Sequence, residues 1–270
     1  MRVIIEKTAE DAAVRAAGFV ADLIRRRPAC VLGLVASRTL QGTYRELIRL
    51  RRESGLDFAQ VTAFALHEYV GVPEEHPQSC GGFLRENFLR HVNLDPARTH
   101  LPDGCLHDFE ADCQRYEQRI RDSGGIDLQL LGISCDGQIP LHEPGSSLGG
   151  RTRVKMLTGE SFRGSVAFFG GQQETPRLAM TLGVGTILES RRCLLLATGS
   201  GKAAAVRSLI EGPITAQITA SALQLHQEVI AVLDEEAGSW LTRREAYAER
   251  EQAQQLFEAG HFNERGMGKR

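Results

Sequence analysis

Short apolar runs alternate with helical segments along nearly the whole chain, and this alternation restricts the fold more than any other feature. Arg2 to Ile5, Cys30 to Leu34, Val61 to Leu66, Leu128 to Leu131, Arg192 to Thr198 and Val229 to Asp234 read as short strands. Thr8 and Asp11 form a capping box with Asp in place of Glu. From there to Arg26 the apolar spacing at Ala12, Ala16, Phe19, Val20 and Leu23 is helical, and Pro28 stops it. Gln41 to Arg52, Phe83 to Val92, Asp108 to Arg121, Lys202 to Glu211 and Ile218 to Leu225 read as further helices. Val154 to Leu157 reads as a strand, and Thr181 to Ile187 as a loop or short helix. Trp240 to Ala259 has a polar helical pattern, ahead of a tail to Arg270 that reads as frayed. Strands alternating with helices predict an α/β fold, with a mostly parallel sheet and helices on both faces. No repeat or linker divides the 270 residues, so one domain over 1–270 is expected. Its least regular stretch, about 143–173, is expected to be a lid.

Composition excludes several classes of function. With 42% apolar and 24% charged residues the chain reads as a soluble globular protein. A formal charge of -2 provides no basic field to collect nucleic acid. No segment approaches the ~20 apolar residues of a membrane span. The N-terminus has early acids and no apolar signal core, so a cytoplasmic location is expected. The six cysteines show no C-x-x-C spacing, which argues against zinc. Cys30 and Cys193 lie in apolar runs and read as buried free thiols. Cys135 stands beside Asp136, whose carboxylate opposes thiolate formation, so it reads as a small loop residue.

Candidate chemistry concentrates after the run Leu128 to Leu131, in Gly132-Ile133-Ser134-Cys135-Asp136-Gly137-Gln138-Ile139-Pro140-Leu141-His142-Glu143-Pro144. Asp136, Gln138, His142 and Glu143 fall within eight residues at the carboxyl end of a strand, where open α/β sheets collect ligands. The competing reading is a polar surface loop. After the second strand, Val35 to Gln41 leads into a helix N-terminus, a natural place for an anion. Arg38 there offers a guanidinium fork, or is a solvated surface arginine.

The stretch GISCDGQIPLHEPGSSLGGRTRVK resembles the active-site segment of the glucosamine-6-phosphate deaminase (isomerase) family, usually G-x-G-x-D-G-H-I-A-F-N-E-P. Phe64 to Phe88, Phe168 to Ser190 and Leu194 to Pro213 extend the resemblance over nearly the whole chain. It implies a Rossmann-like fold and conversion of glucosamine 6-phosphate to fructose 6-phosphate plus ammonia. That reaction runs through an open-chain sugar and an enediol-like intermediate, with no metal or organic cofactor. The implied partner is a small sugar phosphate or related anion, and the implied assembly is a homo-oligomer, hexameric by resemblance.

The resemblance also assigns residues. Position 67 holds the base that moves a proton between C1 and C2, a carboxylate in the family and His67 here. Histidine has a suitable pKa for a base near neutrality. Position 138 holds the ring-opening histidine, flanked by carboxylates at Asp136 and Glu143; here it is Gln138, and an amide does not shuttle protons. His142 replaces an asparagine and is a nearby imidazole. In the phosphate loop, normally P-T-G-G-T-P, Ser37 and Arg38 replace the glycines and Thr39 is kept. Lys202 matches a phosphate-contacting lysine, whereas a second phosphate arginine is replaced by Ala167. Ser146, Arg153 and Lys155 match the family's allosteric phosphate site.

Three readings follow. The first is an amino-sugar-phosphate isomerase/deaminase with His67 as base and with altered substrate or impaired catalysis. The second is a non-catalytic sugar-phosphate sensor or regulatory paralogue, in which the effector site outlives the active site. The third is a 6-phosphogluconolactonase-like hydrolase. Because His67 and Gln138 fall on the chemistry, the family's own activity is the expectation that they put in question.

Overall fold

In the computed structural model, residues 1–73, 75–105 and 107–258 are described, except for the side chains of residues 160, 167 and 168. The tail beyond 258 lies outside the described residues. The chain begins with β1 (Arg2–Glu6), α1 (Ala9–Arg26), β2 (Val31–Leu34), α2 (Gln41–Ser54) and β3 (Thr62–Ala65). It continues through β4 (His67–Tyr69), α3 (Cys80–Asn87), β5 (Thr99–His100), α4 (Phe109–Asp122) and β6 (Leu128–Gly132). Next come β7 (Arg153–Met156), α5 (Gly159–Phe169), β8 (Leu178–Thr181), α6 (Val184–Leu188) and β9 (Cys193–Ala197). It ends with α7 (Ala203–Glu211), β10 (Val229–Asp234) and α8 (Arg244–Glu258).

Seven strands make a parallel sheet in the order β1-β10-β9-β6-β2-β3-β5, flanked by helices. The apolar runs dictate this arrangement: Leu130, Leu131, Leu194, Leu195, Leu196, Val232 and Leu233 are all buried, so their strands need cover on both faces. Helix α1 starts as its sequence predicts, with Thr8 Oγ1 accepting the Asp11 N–H at 3.0 Å. Its alanine-rich stripe, Ala12, Ala16, Ala17 and Ala21, is fully buried and lets the helix lie close to the sheet.

A second sheet of three antiparallel strands, β4-β8-β7, stands at the carboxyl end of the first. The two join where β3 runs into β4. Leu66 donates its N–H to Leu34 O at 2.8 Å and accepts from the Leu182 N–H at 2.9 Å. His67, the next residue, therefore stands at the seam between sheets.

Three sequence expectations change. The helix expected over Phe83 to Val92 begins at Cys80, because Ser79 caps it (Gly82 N–H to Oγ, 2.8 Å), and it gives way to a 3-10 turn at Leu89–His91. Thr219–Leu225 is 3-10 rather than α-helical. The stretch 143–173, read as irregular, holds β7 and α5.

Candidate active site

The order of the large sheet brings the loops together. β6 lies between β9 and β2, so the loops that follow these three strands emerge side by side. Such a point, where the chain leaves central parallel strands in both directions, is where α/β sheets bind ligands. Ser37 Oγ packs 3.3 Å from where a side chain on Gly132 would begin, and Cys135 Sγ lies 3.8 Å from the matching point on Gly201. Thus the loop of Arg38 and Thr39, the central stretch and the Gly199–Lys202 turn adjoin one another. Gly137 has φ 81, and Ile218 Cδ1 is 2.8 Å from any added Cβ, so both backbone and space require glycine there. Leu141 holds φ 61, a left-handed conformation costly for a branched side chain.

The half-buried Asp136 accepts a hydrogen bond from Ser134 Oγ and two from Gln138, the backbone N–H at 3.2 Å and Nε2 at 2.8 Å. Gln138 Oε1 accepts from Ser161 Oγ on α5 at 3.1 Å. Both ends of the amide are therefore committed. Glu143 accepts from the Thr158 N–H (2.8 Å) and Oγ1 (2.9 Å), with Lys155 Nζ at 3.6 Å.

His67 is 7% exposed, and its Nδ1 has no hydrogen-bond partner. Burial pushes its pKa down to about 4, so the ring is neutral near pH 7. It lines a cavity of about 110 Å³ together with Arg38, Tyr69, Ser79, Cys80 and Phe169. The next residue, Glu68, does not line that cavity: its carboxylate accepts the N–H groups of Tyr69 (2.8 Å), Cys80 (2.8 Å) and Gly81 (2.7 Å), holding the start of α3.

His142 goes elsewhere. It is fully buried, and its Nε2 lies 2.7 Å from Leu182 O. Burial lowers its pKa to about 4. Adjacent in sequence to the central motif, it is turned into the interior and does not line the cavity, so it offers no imidazole to a ligand there. Lys202 is half-buried at the start of α7, after a turn closed by its own N–H on Gly199 O at 3.0 Å. Lys155 Nζ reaches Ser146 Oγ at 3.4 Å, and burial lowers its pKa. Arg153 is two residues away on the same face of β7, its Nη1 3.4 Å from Arg151 O.

One feature escaped the sequence reading. Thr158, the residue before α5, and Ser161, Ser165 and Phe169 on it are spaced as one helical face, and all point at the site. Beyond Glu143 and Gln138, Ser165 Oγ lies 3.0 Å from Tyr69 Oη, and Phe169 packs edge-on to Tyr69 with ring centroids 5.2 Å apart. The three-and-four spacing was visible, but a hydroxyl stripe reads as a solvated face. Among the described residues no group of three or more His, Cys, Asp or Glu side chains is arranged to hold a metal ion. No described helix is long and apolar enough to cross a membrane. Burial raises the thiols of Cys30 and Cys193 to about 12.

With this geometry in place, comparison with known proteins is decisive. Residues 5–231 match the family described as glucosamine-6-phosphate isomerases/6-phosphogluconolactonase. The chain belongs to that family. It is 44% identical over 241 residues to a glucosamine-6-phosphate deaminase of Halothermothrix orenii, covering 89% of this chain and 100% of the relative. It is 44% identical over 247 residues to one from an Arthrobacter species, covering 92% and 95%. Among solved structures, a monomeric glucosamine-6-phosphate deaminase superposes with a TM-score of 0.87 at 40% identity, covering 89% of this chain and all of that one. A 6-phosphogluconolactonase from Trypanosoma brucei, at 19% identity and TM-score 0.70, shares the fold.

These matches correct one expectation. His67 and Gln138 suggested that enzymatic activity of the family kind is in question. Deaminases at 40 to 44% identity, matched over about nine-tenths of this chain, instead support an active isomerase/deaminase.

Proposed function

We propose that the chain converts glucosamine 6-phosphate to fructose 6-phosphate and ammonia, with His67 as the base that moves the proton between C2 and C1. The observation that carries this reading is the neutral, buried imidazole of His67, whose Nδ1 has no protein partner and which lines the cavity at the seam between the sheets. An imidazole with a pKa near 4 is always in its basic form at neutral pH, although it is a weak base. On the open-chain sugar it takes the C2 proton, the electrons move onto the C1 carbonyl oxygen, that oxygen gains a proton from the C2 ammonium, and the proton held by His67 returns at C1 as the nitrogen lone pair forms the C2 imine. The resulting C2 imine adds water and releases ammonia.

Asp136 orients Gln138, whose Nε2 spends one N–H on Asp136 and keeps the second for the reacting oxygens, and Glu143 anchors α5. Gln138 has no proton to exchange near neutrality, so in this reading the sugar ring opens in solution. Arg38, Thr39 and Lys202 hold the phosphate. The cavity of about 110 Å³ is well below the ~300 Å³ of a ligand pocket, so residues 143–173 act as a lid that lifts to admit substrate. Ser146, Arg153 and Lys155 then serve an anionic effector, in a homo-oligomer as the resemblance implies.

Ammonia release coupled to fructose 6-phosphate formation tests this reading. Equimolar products are expected, and Gln138→His should raise kcat/KM about tenfold or more by restoring acid-assisted ring opening. Folded protein that releases no ammonia at high enzyme concentration would remove the reading.

A further inference from the structure

We propose that Asp234 is a positioning residue for Lys202. The inference rests on the reading of Lys202 as the group that meets the substrate's phosphate. Asp234 ends β10, next to β9 in the sheet, and is 5% exposed. Both its carboxylate oxygens face the Gly199 N–H, at 3.0 and 2.9 Å, and Oδ1 also accepts from the Ala237 N–H at 2.7 Å. Glu236 Oε2 takes the next amide of the turn, Ser200 N–H, at 3.1 Å.

A glycine-rich turn between a strand and a helix ordinarily offers its amides to an anion. Here the first two amides of Gly199-Ser200-Gly201-Lys202 are turned onto carboxylates at the back of the turn. The anion-holding task therefore falls to the lysine side chain, which starts from a turn fixed at its first residue. Gly199 holds φ 88, and the Lys202 N–H bond to Gly199 O then sets where the lysine leaves the backbone. Without the Asp234 clamp, Gly199 gains conformational freedom and the ammonium loses its fixed origin.

Charge and position predict opposite signs. Asp234 carries a negative charge next to an anion site, so if charge were its main effect, removing it would tighten anion binding. If position dominates, removing it weakens binding, and Asn, which keeps one acceptor oxygen without the charge, restores most of it.

The test is calorimetric binding of inorganic phosphate and of fructose 6-phosphate, with KM and kcat for glucosamine 6-phosphate alongside. Asp234→Ala should weaken both ligands and raise KM about tenfold, with kcat within about twofold. Asp234→Asn should stay within about threefold of the native chain. In a Lys202→Ala background, Asp234→Ala should add nothing further. Unchanged or tighter binding in Asp234→Ala overturns the proposal, as does an equal loss with and without Lys202. If Asp234→Ala does not fold, Asp234→Ser and Asp234→Asn carry the same comparison. Lys202-dependent phosphate binding without ammonia release would end the proposed reaction and leave this inference standing. Absence of any Lys202-dependent binding would end the inference itself.

Discussion

The two sheets of this protein are held together by different physics. The seven-stranded floor is built around inner strands such as β9 and β10 that are buried and almost wholly apolar on both faces, and its stability comes from area removed from water. The roof, made of β4, β8, β7 and α5, is tied to the loop that leaves the floor after β6 by individual polar contacts, Glu143 with Thr158 and Gln138 with Ser161, and is held within itself by Tyr69 with Ser165. At its base the buried Glu117 accepts from the N–H and hydroxyl of Thr152 and from the hydroxyl of Thr186, with Arg151 beside it. Burial opposes ionisation of Glu117, but those hydrogen bonds outweigh it and hold its pKa below the ordinary value. Apolar burial is cooperative and resists opening. A few hydrogen bonds, each worth a net ~0.5–1.5 kcal/mol, open at much smaller cost. The candidate catalytic groups gather where the two meet, Asp136 and Gln138 in the loop after β6 of the floor and His67 in the first strand of the roof.

Substitutions should separate the halves. The largest effect is expected in the floor: Leu195→Ala, at a fully buried position in β9, should cost about 2–5 kcal/mol in denaturant unfolding. Acid comes next. His67 and His142 both fall from 6.5 to about 4 on folding, so the unfolded chain takes up protons that the folded chain refuses. Stability should therefore drop as pH falls from about 6.5 to 4, and His142→Gln should flatten that slope; a pH series of unfolding midpoints checks it. In the roof, Ser161→Ala should change stability by no more than ~1 kcal/mol while hydrogen exchange quickens in α5 and not in β6 or β9. A uniform change in exchange would erase the distinction between the halves. The smallest effect is at Cys135, exposed in the central loop, where Cys135→Ser should leave unfolding unchanged.

The same contrast explains what could be read from the chain. Runs such as Leu194 to Leu196 identified the floor, because burial on both faces leaves an unbroken apolar signature. The strands of the roof are three or four residues long, and β4 and β8 left no such mark. Helix α5 was missed because Gly159 opens it, Gly164 interrupts it and its polar face turns inward. In the site, Asp136 and Gln138 are two residues apart and do touch. His142 is only four residues beyond Gln138, yet after the left-handed turn at Leu141 its ring ends on Leu182 O, and only coordinates reveal that. His67 came from the other side of the chain through the resemblance. Neither its burial nor its unpartnered Nδ1 is written in local sequence.

The most direct test of the account is the pH profile of ammonia release from glucosamine 6-phosphate by the native chain and by His67→Ala. A base with a pKa near 4 predicts that kcat/KM shows no loss assignable to position 67 until the pH nears that value. His67→Ala should reduce kcat/KM about 10²–10⁴-fold with the fold intact. A kcat/KM in His67→Ala within about tenfold of the native value would contradict the assignment of the base.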